Sequence, residues 1–367
     1  MNMKYITRAD QLEFLGEEEK NRVREVSEEY PFRCNSYYLS LIDWDDPEDP
    51  IRRIIIPHED ELGQWGFVDP SDEKNYTVAP GLEHKYDSTA LLLVSDICEG
   101  ICRYCFRKRV FTEDREEHNL DLGASVDYIK SHREITNVLL TGGDPLVLST
   151  RKLGRIFEEL RKIEHIGIIR IGSRMPVFNP YRILDDEGLV EMIGSYVEPA
   201  KKIYLMTHFI HPRELTEAAI EGVWRLQKAG VVVNNQMPLI KGVNDDPAVL
   251  AELLEKLAVC GIIPYYIFQC RPAMGNSAYT IAIERGYDII EEAKDRVSGL
   301  AKRVRFVMSH RTGKVEVVGR DKRHTYFKYH RAAENGDSSK FIKCRRNPDA
   351  SWLDDYVEVC NDNFKIA

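Results

Sequence analysis

The sequence predicts an α/β protein built on a mostly parallel sheet, and three observations predict it. Seven short apolar runs of β-type composition recur from Ala90 onward. Stretches with helical periodicity lie between most of them. Two of the clearest, TEAAIEGVWRLQKAG and DPAVLAELLEKLAVCG, end in glycine, where helices commonly stop. Strands that alternate with helices imply βαβ units, and six or seven units suit a complete or partial (β/α) barrel. A doubly wound open sheet is the alternative.

In chain order the runs are ALLLVS (90–95), NVLL (137–140), GIIRIG (167–172), IYLMT (203–207), VVVNN (231–235), PYYIF (264–268) and VRFVM (304–308). Before them, residues 7–29 are charged and compatible with a helix. Residues 57–86 contain several breakers and read as loops with short helices. Beyond about residue 320 the sequence is polar, charged and irregular, as in a small appended element or lid. The expected organisation is a helical and irregular N-terminal extension (1–86), the barrel (87–318) and a C-terminal extension (319–367).

Composition narrows the function classes. Lys+Arg is 51 and Asp+Glu is 60, so the formal net charge of the 367 residues is −9. That balance disfavours non-specific nucleic-acid binding, which phosphate neutralisation drives. The hydrophobic fraction of 43% supports a sizeable core. No apolar signal core or membrane-length run is visible, so a cytoplasmic location and no membrane partner are expected. In a reducing compartment, clustered cysteines point to metal, cluster or catalysis more than to disulfides.

Polar motifs follow the apolar runs directly, at the strand ends where β/α barrels place their active sites. The first is Cys98-x3-Cys102-x2-Cys105. Three cysteines in one short loop can ligate three irons of a [4Fe–4S] cluster and leave the fourth iron open to a small molecule. A zinc site with a remote fourth ligand is the alternative. Next come Thr141-Gly142-Gly143-Asp144-Pro145, Ser173-Arg174, His208 to Pro212, Asn234-Asn235-Gln236, Gln269-Cys270-Arg271 and Ser309-His310-Arg311. Cys344 and Cys360 lie in the tail and could share a metal.

This cysteine spacing, followed by a strand-ending Gly-Gly-acidic motif, resembles the radical S-adenosylmethionine (SAM) superfamily. The segments YYLSLIDWDDPEDPIRR, VAPGLEHKY, CRYCFRKR, LLTGGDPL, RIGSRMPVFNPYRI, THFIHPRELT, NNQMPLIKGVND and PYYIFQC narrow the resemblance to the lysine 2,3-aminomutase family. It runs in order from about residue 30 to 315. It implies a partial (β/α)6 barrel of the TIM type, with a [4Fe–4S] cluster held by Cys98, Cys102 and Cys105. SAM would be lined by Tyr104, Gly142, Gly143, Asp144, Ser173, Arg174, His208 and Gln236. Reduction of the cluster would give a 5′-deoxyadenosyl radical that removes a Cβ hydrogen from the substrate. In the family's aminomutases, pyridoxal phosphate holds the migrating amino group. Arg107, two residues after the last cluster cysteine, would pair with the substrate carboxylate.

The sequence departs from the family pattern at several places. The phosphate of pyridoxal phosphate commonly meets two basic residues before the first barrel strand. Lys85 matches one, and Thr89 stands at the other. The family's cofactor lysine follows a glycine-rich run after the last strand. Here FVMSHRTGKVEVV leaves Lys314 as the candidate, with an ordinary turn and an exposed Lys314 as the plain alternative. His310 and Arg311 could fill the shortened run. Lysine-acting members carry two aspartates for the distal ammonium; this chain has Arg271 and Ser309 there. An ammonium beside Arg271 would be repelled, so the resemblance implies an acidic substrate such as glutamate. Pairing of Arg271 with Glu284 is the alternative. The zinc-binding cysteine of GVNDCP is replaced by Asp246, so zinc is not carried over.

The implied activity is a radical SAM amino-acid 2,3-aminomutase. The second reading is a relative without pyridoxal phosphate that catalyses another C–H activation, such as dehydrogenation, epimerisation or modification of a larger substrate. The implied partners are a small-molecule amino acid and a reductant such as flavodoxin or ferredoxin. The family's tail-mediated homo-oligomer stays open, because the sequence beyond about 320 has little match.

Overall fold

A computed structural model describes residues 3–111, 121–334 and 336–359. Cys360, paired with Cys344 in the sequence reading, lies outside the described residues. The chain begins with β1 (Tyr5–Ile6), α1 (Glu17–Glu29), β2 (Cys34–Asn35), α2 (Ser36–Leu39) and α3 (Pro50–Ile55). Two short strands follow, β3 (Thr77–Ala79) and β4 (Leu82–Tyr86).

The seven apolar runs form seven strands: β5 (Thr89–Ser95), β6 (Asn137–Gly142), β7 (Ile168–Gly172), β8 (Lys202–Thr207), β9 (Val232–Leu239), β10 (Ile263–Gln269) and β11 (Arg305–His310). All six pairings among them are parallel. The connecting helices are α4 (Leu122–Ser131), α5 (Thr150–Arg161), the short α6 (Met175–Phe178) and α7 (Tyr181–Leu184), α8 (Glu187–Ser195), α9 (Glu217–Lys228), α10 (Pro247–Val259) and α11 (Ile283–Asp295). Their starts are chemically marked. Asp121, Ser149, Asp186, Thr216 and Asp246 each accept a backbone N–H as N-caps. Asp246 accepts from Ala248 at 2.6 Å and Val249 at 3.3 Å. The residue that replaces the family's zinc cysteine therefore caps a helix.

The core lies between strands and helices. Val138, Leu140, Ile169 and Ile203 are fully buried on the helix side of their strands. Burying each such side chain is worth about 1.5–3 kcal/mol. The alternate residues Asn137, Thr141 and Arg170 point to the other face, which is the barrel interior.

The strands follow one another in sequence order across the sheet, from β3 to β14. A doubly wound sheet would reverse its order, so that alternative fails. The ends of the sheet approach each other. Lys85 donates to His310 O at 3.1 Å, Tyr76 to Arg311 O at 3.1 Å, and Arg331 to Thr89 Oγ1 at 3.0 Å. Strands far apart in sheet order are thus joined by side chains, and the sheet curls into a partial barrel.

The region beyond 320 is not irregular. β12 (Gly313–Arg320), β13 (His324–Ala332) and β14 (Phe341–Arg345) extend the sheet in antiparallel fashion. Thr325, Phe327 and Tyr329 are buried while Lys328 is exposed, so the period of two is present beneath a polar composition. Among the described residues no helix is long and apolar enough to cross a membrane.

Candidate active site

The cysteine loop leaves the C-terminal end of β5 and is fixed from below and from the side. Beneath it, the end of β6 comes so close that side chains are excluded. A Cβ on Gly142 (φ +111°) would lie 2.3 Å from Ser95 O, and one on Gly143 would lie 2.4 Å from Ile97 O. Gly143 N–H donates to Ser95 O at 2.6 Å, and Asp144 N–H to Ile97 O at 2.8 Å. The double glycine is therefore needed for contact between the two strand ends.

The N-terminal segment holds the side of the loop. Ile101 N–H donates to Arg33 O, and Arg103 N–H to Ile54 O, both at 2.9 Å. The Arg103 guanidinium is fully buried and forks onto Glu61, with N–O distances of 2.9 Å, and Lys108 reaches the same carboxylate at 3.2 Å. Both ends of this buried network belong to segments that the sequence presents as unrelated.

Cys98, Cys102 and Cys105 are free thiols on this loop. Burial pushes the Cys98 and Cys105 thiols up, and neighbouring cysteines add to it. Three soft donors that repel one another as thiolates are stabilised by the positive charge of bound iron. Among the described residues no three His, Cys, Asp or Glu side chains converge on a single metal ion.

The SAM candidates gather around the loop. Asp144 accepts from Ser173 Oγ at 2.7 Å, Leu146 N at 2.9 Å and Arg174 N at 2.8 Å. Burial pushes its carboxyl up to about 6 against the pull of those bonds. Arg174 donates to Cys102 Sγ at 2.8 Å, to His208 O at 3.1 Å and to Glu214. Glu214 also accepts from Tyr38 at 2.6 Å and from Ile210 N at 2.7 Å. Tyr104 OH lies 3.1 Å from His208 Nε2, with the rings 12° from parallel. Burial, and then Arg174, hold His208 well below the usual imidazole range, so it is neutral. A neutral imidazole and a flat phenol face suit an adenosyl group and do not repel a sulfonium. Gln236 is half-buried on β9, opposite Tyr266 of β10.

Below this rim the interior is cationic. Arg107 pairs with Glu73 at 2.7–3.1 Å and donates to Thr141 Oγ1 at 3.2 Å. Those bonds use one N–H on each guanidinium nitrogen and leave one on each terminal nitrogen for a carboxylate. Arg109 donates to the same Glu73 at 2.6 Å. Arg271 lies 3.5 Å over the Phe106 ring and donates to Ser71 Oγ at 2.7 Å. It does not pair with Glu284, which accepts from Thr325, Asn347 and Arg346 instead. Ser309 sits on β11 in register with Lys314 of β12.

Lys314 is not in a turn. Its strand aims the amine inward, 4.7 Å from the Phe268 ring centroid and 5.2 Å from that of Tyr266. Burial, and then Arg271, Arg170, Arg331 and Lys85, hold its ammonium well below the ordinary lysine value. Such an amine is a nucleophile and a fit partner for an aldehyde cofactor. Lys85 donates to Ser71 O at 3.3 Å, and burial lowers it to about 8. His310 and Arg311 do not fill the shortened run. His310 Nε2 bonds Asp354 at 2.9 Å, and Arg311 reaches the same carboxylate at 3.0 Å. Glu61, Glu73 and Arg331 meet the site from segments distant in the chain, whereas Arg170 and Glu214 lie within the motif segments RIGSRMPVFNPYRI and THFIHPRELT but carry no local mark of their role.

Comparison with known proteins agrees with this geometry. Residues 92–254 match the model of the radical SAM superfamily. An Aquifex aeolicus protein named "Putative L-lysine 2,3-aminomutase" is 51% identical over 97% of this chain and 96% of its own length. The chain belongs to the lysine 2,3-aminomutase family of radical SAM enzymes. The Clostridium subterminale L-lysine 2,3-aminomutase is 38% identical over 78% of this chain and 68% of its own. The glutamate 2,3-aminomutase of Clostridioides difficile is 34% identical over 78% and 67%. Membership in the lysine 2,3-aminomutase family makes this an aminomutase-type isomerase that takes a [4Fe–4S] cluster and SAM. It leaves the substrate open, since the family holds members named for lysine and for glutamate, 38% and 34% identical to this chain, and the 51% identical relative is named only as a putative lysine enzyme.

Proposed function

We propose that this chain is a pyridoxal phosphate-dependent 2,3-aminomutase acting on an acidic amino acid, with glutamate as the first candidate. The observation that carries the reading is Arg271. It is a half-buried interior guanidinium whose hydrogen bond goes to a neutral serine and whose main charge neighbour, Glu73, is already held by Arg107 and Arg109, at the position where lysine-acting members carry an aspartate. A carboxylate there completes a charge pair in a low-dielectric cavity; an ammonium would be repelled.

The roles follow from position. Cys98, Cys102 and Cys105 hold the cluster. Tyr104, Gly142, Gly143, Asp144, Ser173, Arg174, His208 and Gln236 form the SAM site. Bound together, cluster and SAM supply a radical able to take hydrogen from an unactivated C–H bond. Arg107 binds the substrate α-carboxylate through its free terminal edge, oriented by Glu73. Arg271 binds the distal carboxylate, beside Ser309. Lys314 attaches the cofactor, and Lys85 meets its phosphate. The barrel excludes water from the reacting carbon. A flavodoxin or ferredoxin as donor and a cytoplasmic setting complete the reading.

The test is turnover by R271D under anaerobic, reducing conditions. The variant should lose activity on glutamate while keeping reductive cleavage of SAM. Unchanged activity on an acidic substrate would end the assignment of Arg271.

A further inference from the structure

Several cations meet inside the barrel with few anions to balance them. Lys314 feels Arg271, Arg170, Arg331 and Lys85 most strongly, and no carboxylate stands among its main influences. Glu73 is engaged by Arg107 and Arg109. Arg170 donates to the neutral amide oxygen of Asn137 at 2.9 Å. Arg331 has the least expected surroundings. Its guanidinium stacks 4.4 Å from the Tyr86 ring centroid and donates to Thr89 Oγ1 at 3.0 Å and Ser88 Oγ at 2.6 Å. Asp87 is near enough to be felt but is exposed, and among the described residues it makes no ion pair with Arg331. A largely buried guanidinium set against neutral acceptors carries an uncompensated desolvation cost.

The two hydroxyls turn this corner into an anion receptor. Each accepts from the guanidinium through a lone pair and keeps its own O–H to donate. A forked cation flanked by two hydroxyl donors is the set that phosphate oxygens take. Arg331 of β13 is in register with Lys314 of β12, so the two side chains share the interior face. Thr89 occupies the position where the family pattern has a second basic residue, and Arg331 brings its charge to the Thr89 hydroxyl from the opposite edge of the sheet.

We propose that Arg331, with the hydroxyls of Ser88 and Thr89, binds the phosphate monoester of the pyridoxal cofactor in place of a cation at position 89. The proposal rests on the pyridoxal phosphate reading of the site. The same chemistry would hold inorganic phosphate, and the experiment separates the two.

The full-length, reconstituted protein is titrated with pyridoxal phosphate and with pyridoxal, following the absorption of the Lys314 adduct. Inorganic phosphate is added separately while thermal unfolding is recorded. Arg331→Gln should weaken pyridoxal phosphate about 10- to 100-fold, as expected for loss of a charged hydrogen-bonding group. It should leave pyridoxal unchanged, which also shows that the barrel is intact. Phosphate should raise the Tm of the wild type and not that of Arg331→Gln. Adding Thr89→Lys to Arg331→Gln should restore part of the lost affinity. Equal affinity of wild type and Arg331→Gln for pyridoxal phosphate, with the phosphate effect retained, would overturn the proposal while the Lys314 adduct still supports the cofactor reading. An Arg331-dependent phosphate effect without any Lys314 adduct would overturn the cofactor as the ligand. It would support Arg331 as a phosphate site.

Discussion

Gly142→Ala tests the physical basis of the cluster loop. The substitution places a Cβ 2.3 Å from Ser95 O at a residue with φ +111°. An alanine in that backbone region costs about 1–3 kcal/mol. Relieving the clash moves Ser95 and breaks the 2.6 Å bond from Gly143 N–H, a further loss of about 1 kcal/mol. The expected total is about 2–4 kcal/mol, concentrated where β5 hands over to Cys98. Gly154→Ala is the internal control. Gly154 lies inside α5, where alanine gains about 0.5–1 kcal/mol over glycine, and its Cβ would lie 3.4 Å from Met192 Cγ of α8, an ordinary contact. Thermal melts and iron content per chain after anaerobic reconstitution read both effects. Gly142→Ala should lower Tm and lose iron, and Gly154→Ala should do neither. Wild-type iron and Tm in Gly142→Ala would refute the reasoning.

Three further outcomes follow from the same geometry. Glu61→Gln leaves Arg103 and Lys108 without their buried carboxylate and should destabilise by about 3–5 kcal/mol, with iron lost in parallel; a melt like that of the wild type would contradict this. Glu83 is buried on β4, and burial raises its carboxyl to about 8, so its stabilising contribution is full below pH 4.5 and is lost as pH rises through 8. The Tm of Glu83→Gln should therefore fall less than that of the wild type between pH 6 and pH 9, as melts across that range would show; parallel curves would refute the shift. Lys314→Ala should abolish the absorption near 400–420 nm that pyridoxal phosphate produces in the wild type, an approximate range for a lysine adduct. A band that persists would place attachment on another amine.

The parallel strands were legible because each is an apolar run bounded by breakers, and the helices between them carry caps and glycine stops. The antiparallel strands were not. β4 reads LEHKY and β13 reads HTYFKYHRA, and in both the charged residues mask the buried alternate positions. That failure hid the strand setting of Lys314 and the whole of Arg331. Lys314 stands out from the sequence as the cofactor-lysine candidate but not as a strand residue, and Ser309↔Lys314 pairing puts it on a strand facing the cavity. Arg331 stood in a segment read as irregular. Cluster and SAM candidates were visible because they follow strand ends within one motif each. Glu73 and Glu61 were invisible because nothing local marks a carboxylate whose partners lie some forty residues away or less in a different element.

The central claim is that an acidic amino acid gives up a Cβ hydrogen in this barrel. The direct measurement supplies glutamate deuterated at C3 to the anaerobic, reduced enzyme with SAM and pyridoxal phosphate. Mass spectrometry then follows 5′-deoxyadenosine and the amino-acid products. Deuterium in 5′-deoxyadenosine together with 3-aminopentanedioate is the result the account predicts. Deuterium transfer from labelled lysine and none from glutamate would contradict it.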